Sequence, residues 1–299
     1  MKILFVFDFS FTDYMADSIF HGLVDAGHEV YNTHYPGYML TSYNNLSGLY
    51  GRGFSLYGKL DYTPTVEDHQ VTLEKIKDKF YDCVIYPCVY SNWWVEQFIP
   101  KRASLYFIED VIKYYPKHKV HFVDGADDTK NYILDFGFAD YGIVWKRELT
   151  SYEYGNPISF AIPESQLIQK EPLKEHLFSP KINPPSSGEN SDPSKYTFNN
   201  EKEYYHEYAK SFYGYTCKKS GWDCYRHYEI LANKTIPAFH NLENCPATIL
   251  TNFPKNIIME VNEYSLNDKV HPKYFAINEY LFNYTKKYLT TKKMVERFL

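Results

Sequence analysis

The residues best suited to chemistry lie in one short segment, GWDCYRHYEILANKTIPAFHNLENCP, at positions 221 to 246. Arg226 and Glu229 are three residues apart there, a spacing that puts both side chains on one face of a helix. If that helix begins near Asp223, its first backbone N–H groups and the positive end of its dipole favour phosphate oxygens. The Arg226 guanidinium would bind a diphosphate bidentately, and the Glu229 carboxylate would accept hydrogen bonds from the hydroxyls of a ribose. With Trp222, these residues form the predicted nucleotide site.

Two simpler interpretations of this segment stay open. Asp223, as the N-cap of the helix, would compete with a phosphate for the same backbone donors. Arg226 and Glu229 would form a solvated ion pair on the helix surface.

Residues 226 to 238, RHYEILANKTIPA, resemble the C-terminal motif of exostosin-like glycosyltransferases of the GT-B fold, R-x-x-E-A-I-x-x-G-C-I-P-V. Arg226, Glu229, Ile236 and Pro237 all fall in register with that pattern. The resemblance implies an α/β fold with two Rossmann-like domains in a GT-B arrangement and a cleft between them. It also implies a nucleoside diphosphate sugar as co-substrate in the C-terminal domain, with no cofactor and no metal ion.

The chain departs from this motif at Lys234, where the family has glycine. Glycine after a helix commonly takes the left-handed conformation. We therefore expect the left-handed turn to lie at Asn233, or the loop to have a different geometry. The depth of the nucleotide pocket depends on which of the two holds.

Acidic residues follow the predicted strands of the N-terminal half. Asp8 ends the first strand, and Asp124 ends KVHFVD, with Asp127 just beyond it. Because ligands bind at the carboxyl ends of strands in an open parallel sheet, we expect these side chains to border the cleft. One of the three would be the general base that deprotonates an acceptor hydroxyl. For Asp127 and Asp128, capping of the next helix is the alternative.

Lys146 and Arg147 stand at the end of another predicted strand, YGIVWK. Two adjacent cations at that edge would bind the diphosphate or stabilise it as it leaves. The alternative is an exposed strand end ahead of a linker.

Apolar runs and helical periodicity predict a doubly wound α/β domain over residues 1–160, which the resemblance implies to be the acceptor domain. Its strands are KILFVFD, EVYNT, DCVIYPC, KVHFVD and YGIVWK, with helices in TDYMADSIFHGLVDAGH, in ASLYFIEDVIKYY and after Asp128. Residues 161–299 are predicted to form a smaller α/β donor domain. There EKEYYHEYAKSFYGYT is a helix running into a strand, the motif segment is a helix and a strand, NIIMEV is a strand, and the C-terminal tail is helical and amphipathic.

Two segments are predicted to be loops. The insertion NLSGLYGRGFSLYGKLDY carries four glycines around Arg52 and is either a mobile loop that closes on a ligand or a surface excursion. Residues 179–196, SPKINPPSSGENSDPSKY, are rich in proline, serine and asparagine and form a linker or an exposed loop.

Composition narrows the function further. The formal net charge of -5 disfavours a broad nucleic-acid surface. The five cysteines lack the paired spacings of structural zinc, and no stretch is apolar enough for a membrane span. These features favour a cytoplasmic protein with reduced thiols.

The favoured function is therefore the transfer of a sugar, hexosyl or pentosyl, from a nucleotide-sugar donor to an acceptor hydroxyl. The acceptor would be a carbohydrate, a lipid-linked molecule, a protein or a modified base in DNA. The alternative function is that of a non-catalytic scaffold or binding protein with a degenerate donor site, of which Asp223 and Lys234 would be signs.

Overall fold

The computed structural model describes residues 1–43, 56–89, 105–182, 198 and 200–299. These residues form an α/β protein with two parallel sheets, one of seven strands and one of three. No helix in these ranges is both long and apolar enough to cross a membrane. All five cysteines are free thiols.

The larger sheet takes its strands from the first half of the chain. They are β1 (Lys2–Phe5), β2 (Glu29–Asn32), β3 (Thr65–Val66), β4 (Cys83–Tyr86), β5 (Val120–Asp124), β6 (Ile143–Lys146) and β7 (Asn156–Pro157). The spatial order is β3-β2-β1-β4-β5-β6-β7, so the chain reverses its direction of travel between β1 and β4. Such a reversal point in an open parallel sheet borders a ligand crevice at the carboxyl ends of the strands. The five predicted strands are confirmed, and the two short outer strands β3 and β7 were not predicted.

The helices of this half are α1 (Tyr14–Asp25), α2 (His69–Lys77), α3 (Ile108–Tyr114) and α4 (Tyr132–Asp135). Three of the four helices confirm the predictions, whereas α2 was not predicted. Asp13 caps α1 by accepting from the Ala16 amide, and Gly27 follows it with a φ of 78°. Asn131 caps α4. The alternative that Asp127 or Asp128 caps this helix is therefore wrong.

The smaller sheet and its helices come from the second half of the chain. The strands are β8 (His176–Phe178), β9 (Ser211–Cys217) and β10 (Ile236–His240), in the order β10-β9-β8. The helices are α5 (Glu201–Ala209), α6 (Tyr225–Ala232), α7 (Lys255–Ser265), α8 (Tyr274–Tyr288) and α9 (Thr291–Phe298). The helix-to-strand segments α5–β9 and α6–β10 are confirmed, whereas β8 was not predicted.

The prediction of a strand at NIIMEV is wrong, because these residues lie in α7. The β-branched run suggested a strand, but the buried side chains of α7 are Ile258, Val261, Asn262 and Ser265, which follow the helical period. Asn262 fixes this helix on the sheet by bonding both the amide and the carbonyl of Phe239 in β10. The predicted helical tail is confirmed as two helices, α8 and α9.

The C-terminal helix α9 packs on α1, so the end of the chain returns to the first sheet. Gly22 in α1 makes this approach possible, since a Cβ there would lie 2.3 Å from the Thr291 carbonyl oxygen. His21 also contacts the Thr291 hydroxyl at 2.9 Å. One apolar cluster contains residues of both sheets, among them Ile3 and Ile236. The division into domains at residue 160 stays a prediction.

Parts of both predicted loops lie outside the described residues. These parts include Gly48, Gly51, Arg52 and Gly53 of the insertion and residues 183–196 of the linker. Gly58 is described and takes a φ of 62°.

The turn after α6 keeps the left-handed residue at the position where the resembling family has glycine. Lys234 has a φ of 50°, whereas Asn233 has a φ of -98°. The expectation that the turn moves to Asn233 is therefore wrong. The Lys234 carbonyl accepts a bond from Asn278 of α8 at 2.9 Å, and its Nζ lies 2.7 Å from Glu279. These contacts hold a lysine in a conformation that costs about 1 kcal/mol.

We expect Lys234→Gly to be more stable than Lys234→Ala by about 1 kcal/mol, because glycine adopts a positive φ without strain. Both variants lose the contact with Glu279, so the difference in their unfolding free energies reports the backbone conformation at this position. Urea unfolding measures this difference. At the control position Lys202, exposed on α5, alanine should be the more stable variant by about 1 kcal/mol. The same order at both positions would refute a strained turn.

Candidate functional site

Helix α6 carries the two residues that the motif singles out. It follows β9 and begins at Tyr225, with Cys224 as an N-cap that makes no side-chain capping bond. Asp223 does not cap the helix, contrary to the alternative drawn from the sequence. Its carboxylate accepts from the Phe160 amide at 2.7 Å and the Tyr228 hydroxyl at 2.9 Å. Burial raises the pKa of Asp223 to about 7, although the Arg147 guanidinium opposes the shift.

Glu229 is only 5% exposed, one turn along α6. Its Oε2 accepts from the Tyr204 hydroxyl at 3.1 Å, and its Oε1 accepts from the Tyr205 hydroxyl at 3.2 Å. Burial raises the pKa of Glu229 to about 7, against the lowering effects of Arg226 and of both tyrosine hydroxyls. The carboxylate is thus held by neutral donors.

The Arg226 guanidinium has a buried nitrogen, Nη1, without a hydrogen-bond partner. In the part of the chain that the structure describes, it also forms no ion pair with Glu229, whose oxygens accept the tyrosine hydroxyls. The surface ion pair considered from the sequence is therefore not formed. A buried donor without an acceptor is costly, so this cation near the start of α6 is suited to an anion.

Arg147 connects the end of β6 with the segment ahead of α6. It is 1% exposed, and its Nε donates to the Gly125 carbonyl at 2.8 Å. Its two terminal nitrogens donate to the Asp127 carboxylate and to the Asp223 carbonyl. The guanidinium also lies 4.7 Å from the centre of the Phe160 ring. All of these contacts are internal to the protein.

Glu148, which the sequence analysis missed, completes this connection. Its buried carboxylate accepts from the amides of Trp222 and Asp223 at 3.0 and 2.9 Å. Gly221 packs so closely that a Cβ there would lie 2.7 Å from Glu148 Oε1. The tripeptide Lys-Arg-Glu is the only sequence signal, because its partners lie more than seventy residues away. We name Lys146, Arg147 and Glu148 with their partners the inter-sheet joint.

Lys146 and Asp124 form a buried ion pair at 2.9 Å. The Asp124 carboxylate also accepts from the amides of Ala126 and Tyr132, each at 3.0 Å. Burial raises the pKa of Asp124, while Lys146 opposes this shift. A general-base role for Asp124, or a diphosphate contact by Lys146 or Arg147, stays a prediction and would require these contacts to be exchanged.

The structure gathers the predicted site residues into two groups and leaves one apart. Those in the inter-sheet joint are Asp124, Asp127, Lys146, Arg147 and Trp222. Arg226 and Glu229 share α6. Asp8 is separate and accepts from the Ser10 amide at 2.9 Å. Among the candidate bases, Asp127 has the accessible carboxylate, with its side chain 62% exposed.

Asp17 on α1 is a further buried acid that the sequence analysis missed. One carboxylate oxygen accepts from the Tyr38 hydroxyl, while the other, Oδ2, has no hydrogen-bond partner. Burial raises its pKa well above the ordinary value. Asp17 lies four residues after the N-cap Asp13, on the same face of α1, which is the signal that would have found it.

Neither a known protein-family model nor a curated protein sequence matches this chain. The resemblance at residues 226 to 238 therefore rests on those residues alone. Membership of the glycosyltransferase family stays a prediction.

We expect Arg147→Ala to lower the free energy of unfolding by about 3 to 5 kcal/mol, because it leaves the carbonyls and carboxylates of the inter-sheet joint without their donor. Urea unfolding provides the measurement. Arg297→Ala is the control, since Arg297 is exposed and, among the described residues, donates to the Tyr288 carbonyl alone. A loss below about 1 kcal/mol for Arg147→Ala would show that the joint does not stabilise the protein.

We expect Glu229→Gln to gain stability over the wild type as the pH rises. The pKa of Glu229 in the folded protein is raised to about 7, whereas the ordinary pKa of a glutamate is about 4. The wild-type side chain therefore contributes fully to stability below about pH 4 and loses this contribution as the pH rises through 7. The difference in unfolding free energy should grow by about 3 kcal/mol between pH 4.5 and 8. Urea unfolding across this range tests it, with exposed Glu203→Gln as control. A constant difference would contradict the raised pKa.

Proposed function

We propose that the protein is a nucleotide-sugar-dependent glycosyltransferase with a GT-B arrangement, and that α6 binds its donor. The observation that carries this proposal is the buried Nη1 atom of Arg226, which has no hydrogen-bond partner among the described residues, one helical turn from the Glu229 carboxylate. A diphosphate supplies the missing acceptors, and a ribose supplies two hydroxyl donors. The motif register gives the same assignment independently.

The start of α6 adds to the attraction for a diphosphate. No side chain caps its first turn, because Asp223 bonds Phe160 and Tyr228 instead. The backbone N–H groups and the positive end of the helix dipole then act together with Arg226. This removes the objection that Asp223 competes for the phosphate.

The position of the inter-sheet joint supports a cleft between the two sheets. Arg147 follows the last residue of β6 and bonds the carbonyl of Asp223, just ahead of α6. The carboxyl ends of β5 and β6 therefore approach the segment between β9 and α6. Carboxyl ends of parallel strands are where ligands bind in folds of this type.

The proposed reaction is a displacement at the anomeric carbon of the donor. A carboxylate of the first half takes the proton of the acceptor hydroxyl, and the oxygen forms a bond to that carbon. The bond from carbon to the phosphate oxygen breaks, and the nucleoside diphosphate leaves with the electron pair. Arg226 and the start of α6 stabilise its charge. Asp127 is the favoured base because it is exposed, and Asp8 is the next candidate.

A binding protein without catalytic activity is the second candidate. The observation in its favour is that Tyr204 and Tyr205 already bond both oxygens of Glu229. Lys146 and Arg147 likewise make their contacts inside the protein. A protein of this kind would bind no nucleoside diphosphate at α6.

We expect one of UDP, GDP, ADP or CDP to raise the thermal midpoint and to bind in calorimetry. Glu229→Ala should weaken binding by roughly tenfold to a hundredfold, because a hydrogen bond to a charged group is worth about 1.5 to 3 kcal/mol. The wild type should bind the 2′-deoxy nucleotide less tightly than the ribonucleotide. The Glu229→Ala variant should bind the two nucleotides equally tightly. Glu203→Ala, exposed on α5, is the control. The absence of binding by all four nucleotides would favour the non-catalytic candidate.

A further inference from the structure

Tyr204 and Tyr205 are adjacent residues of α5 that point their hydroxyls at one carboxylate. Tyr204 donates to Glu229 Oε2 and Tyr205 to Oε1, at 3.1 and 3.2 Å. The hydroxyls of Tyr204 and Tyr208 are 3.3 Å apart, one turn along the same helix. The Phe198 ring packs on Tyr204 with the ring centres 5.7 Å apart. Both oxygens of Glu229 are thus fixed by a helix that the motif does not include.

It matters which groups donate hydrogen bonds to Glu229, because Arg226 is close enough to influence the same carboxylate. If Arg226 bonded Glu229 directly, the two charges would offset each other and fewer guanidinium N–H groups would remain for an anion. Phenolic hydroxyls are neutral, so they stabilise the carboxylate without using the cation. The observed pairing therefore keeps the Glu229 carboxylate and a guanidinium whose Nη1 has no partner side by side on α6.

A buried carboxylate with few donors takes up a proton and then no longer accepts two ligand hydroxyls. The tyrosine hydroxyls oppose this, since bonds to the charged form favour it. The charged and titratable groups around Glu229 come from α5, from α6 and from the segment between β9 and α6. They are Glu201, Tyr204, Tyr205 and Tyr208, then Tyr225 and Arg226, and then Lys219.

We propose that Tyr204 and Tyr205 are positioning residues that keep the Glu229 carboxylate charged and oriented for the hydroxyl groups of the ligand. This inference rests on the proposed function for the identity of the ligand. It predicts that nucleotide affinity rises with pH through about pH 7, where the pKa of Glu229 lies. Removing either hydroxyl moves this rise to higher pH.

The test compares Tyr204→Phe and Tyr205→Phe with the wild type, using whichever of UDP, GDP, ADP or CDP binds. Calorimetry from pH 6 to 9 should show a midpoint about one pH unit higher in each variant, with wild-type affinity regained near pH 9. Tyr274→Phe is the matched control, because the Tyr274 hydroxyl donates to the Phe212 carbonyl and does not contact Glu229. Affinity lowered equally at every pH would mean a structural role only. Affinity raised at every pH would mean that the tyrosines compete with the ligand. Either result overturns the proposal.

A second measurement separates this inference from the proposed function. Carbon-13 NMR of the Glu229 carboxyl, assigned with Glu229→Gln, follows the protonation of this group without any nucleotide. A midpoint that rises in both phenylalanine variants supports the positioning role even if no nucleotide binds, in which case only the proposed function fails. A midpoint unchanged in both variants overturns the inference, whatever the nucleotide affinity.

Discussion

The buried charge of Arg147 is the constraint on which the arrangement of the two sheets depends. A guanidinium that is 1% exposed must have its donors satisfied, because an uncompensated buried charge costs several kcal/mol. Its acceptors come from two segments: the Gly125 carbonyl and the Asp127 carboxylate after β5, and the Asp223 carbonyl ahead of α6. Glu148 adds a second connection by accepting the amides of Trp222 and Asp223. The carboxyl edge of the larger sheet is thereby fixed beside the start of the candidate donor helix.

Polar side chains are also buried at α6, and their burial determines how the stability of the protein depends on pH. Asp223 and Glu229 have pKa values raised to about 7, whereas burial lowers the pKa of His227 to about 3. The two carboxyl groups lose their contribution to stability as the pH rises through 7, and His227 loses its contribution as the pH falls below about 6.5. All three side chains have hydrogen-bond partners. Asp223 accepts from the Tyr228 hydroxyl, and Glu229 accepts from the hydroxyls of Tyr204 and Tyr205. His227 bonds the Thr216 hydroxyl and the Trp222 carbonyl. Along α6, the exception is the Nη1 atom of Arg226, which has no hydrogen-bond partner, and the proposed donor site rests on it.

Local sequence patterns were sufficient to predict the helices and strands whose formation depends on local contacts. The apolar runs of β1, β4 and β5 and the periodicity of α1 predicted these elements, because burial on both faces of a parallel sheet or on one face of a helix leaves a direct trace in the sequence. The pattern failed at NIIMEV, where a β-branched run is consistent with either state and the packing of Asn262 against Phe239 decides for the helix. It also failed at the short strands β3, β7 and β8, which are too brief to carry a period.

The sequence by itself determined that Arg226 and Glu229 share one face of a helix between two strands, because their spacing is a property of the helix alone. Only the tertiary structure decided which charges stay unpaired. Lys146 and Arg147 were expected to face a diphosphate, but Asp124, Asp127 and Asp223 hold them inside the protein. Glu229 was expected to pair with Arg226 or with a ribose, but two tyrosines of α5 hold it. These partners are up to 76 positions apart in the chain, the separation of Arg147 and Asp223. Pairing at such separations depends on how sheets and helices pack, and local residue spacing carries no record of it.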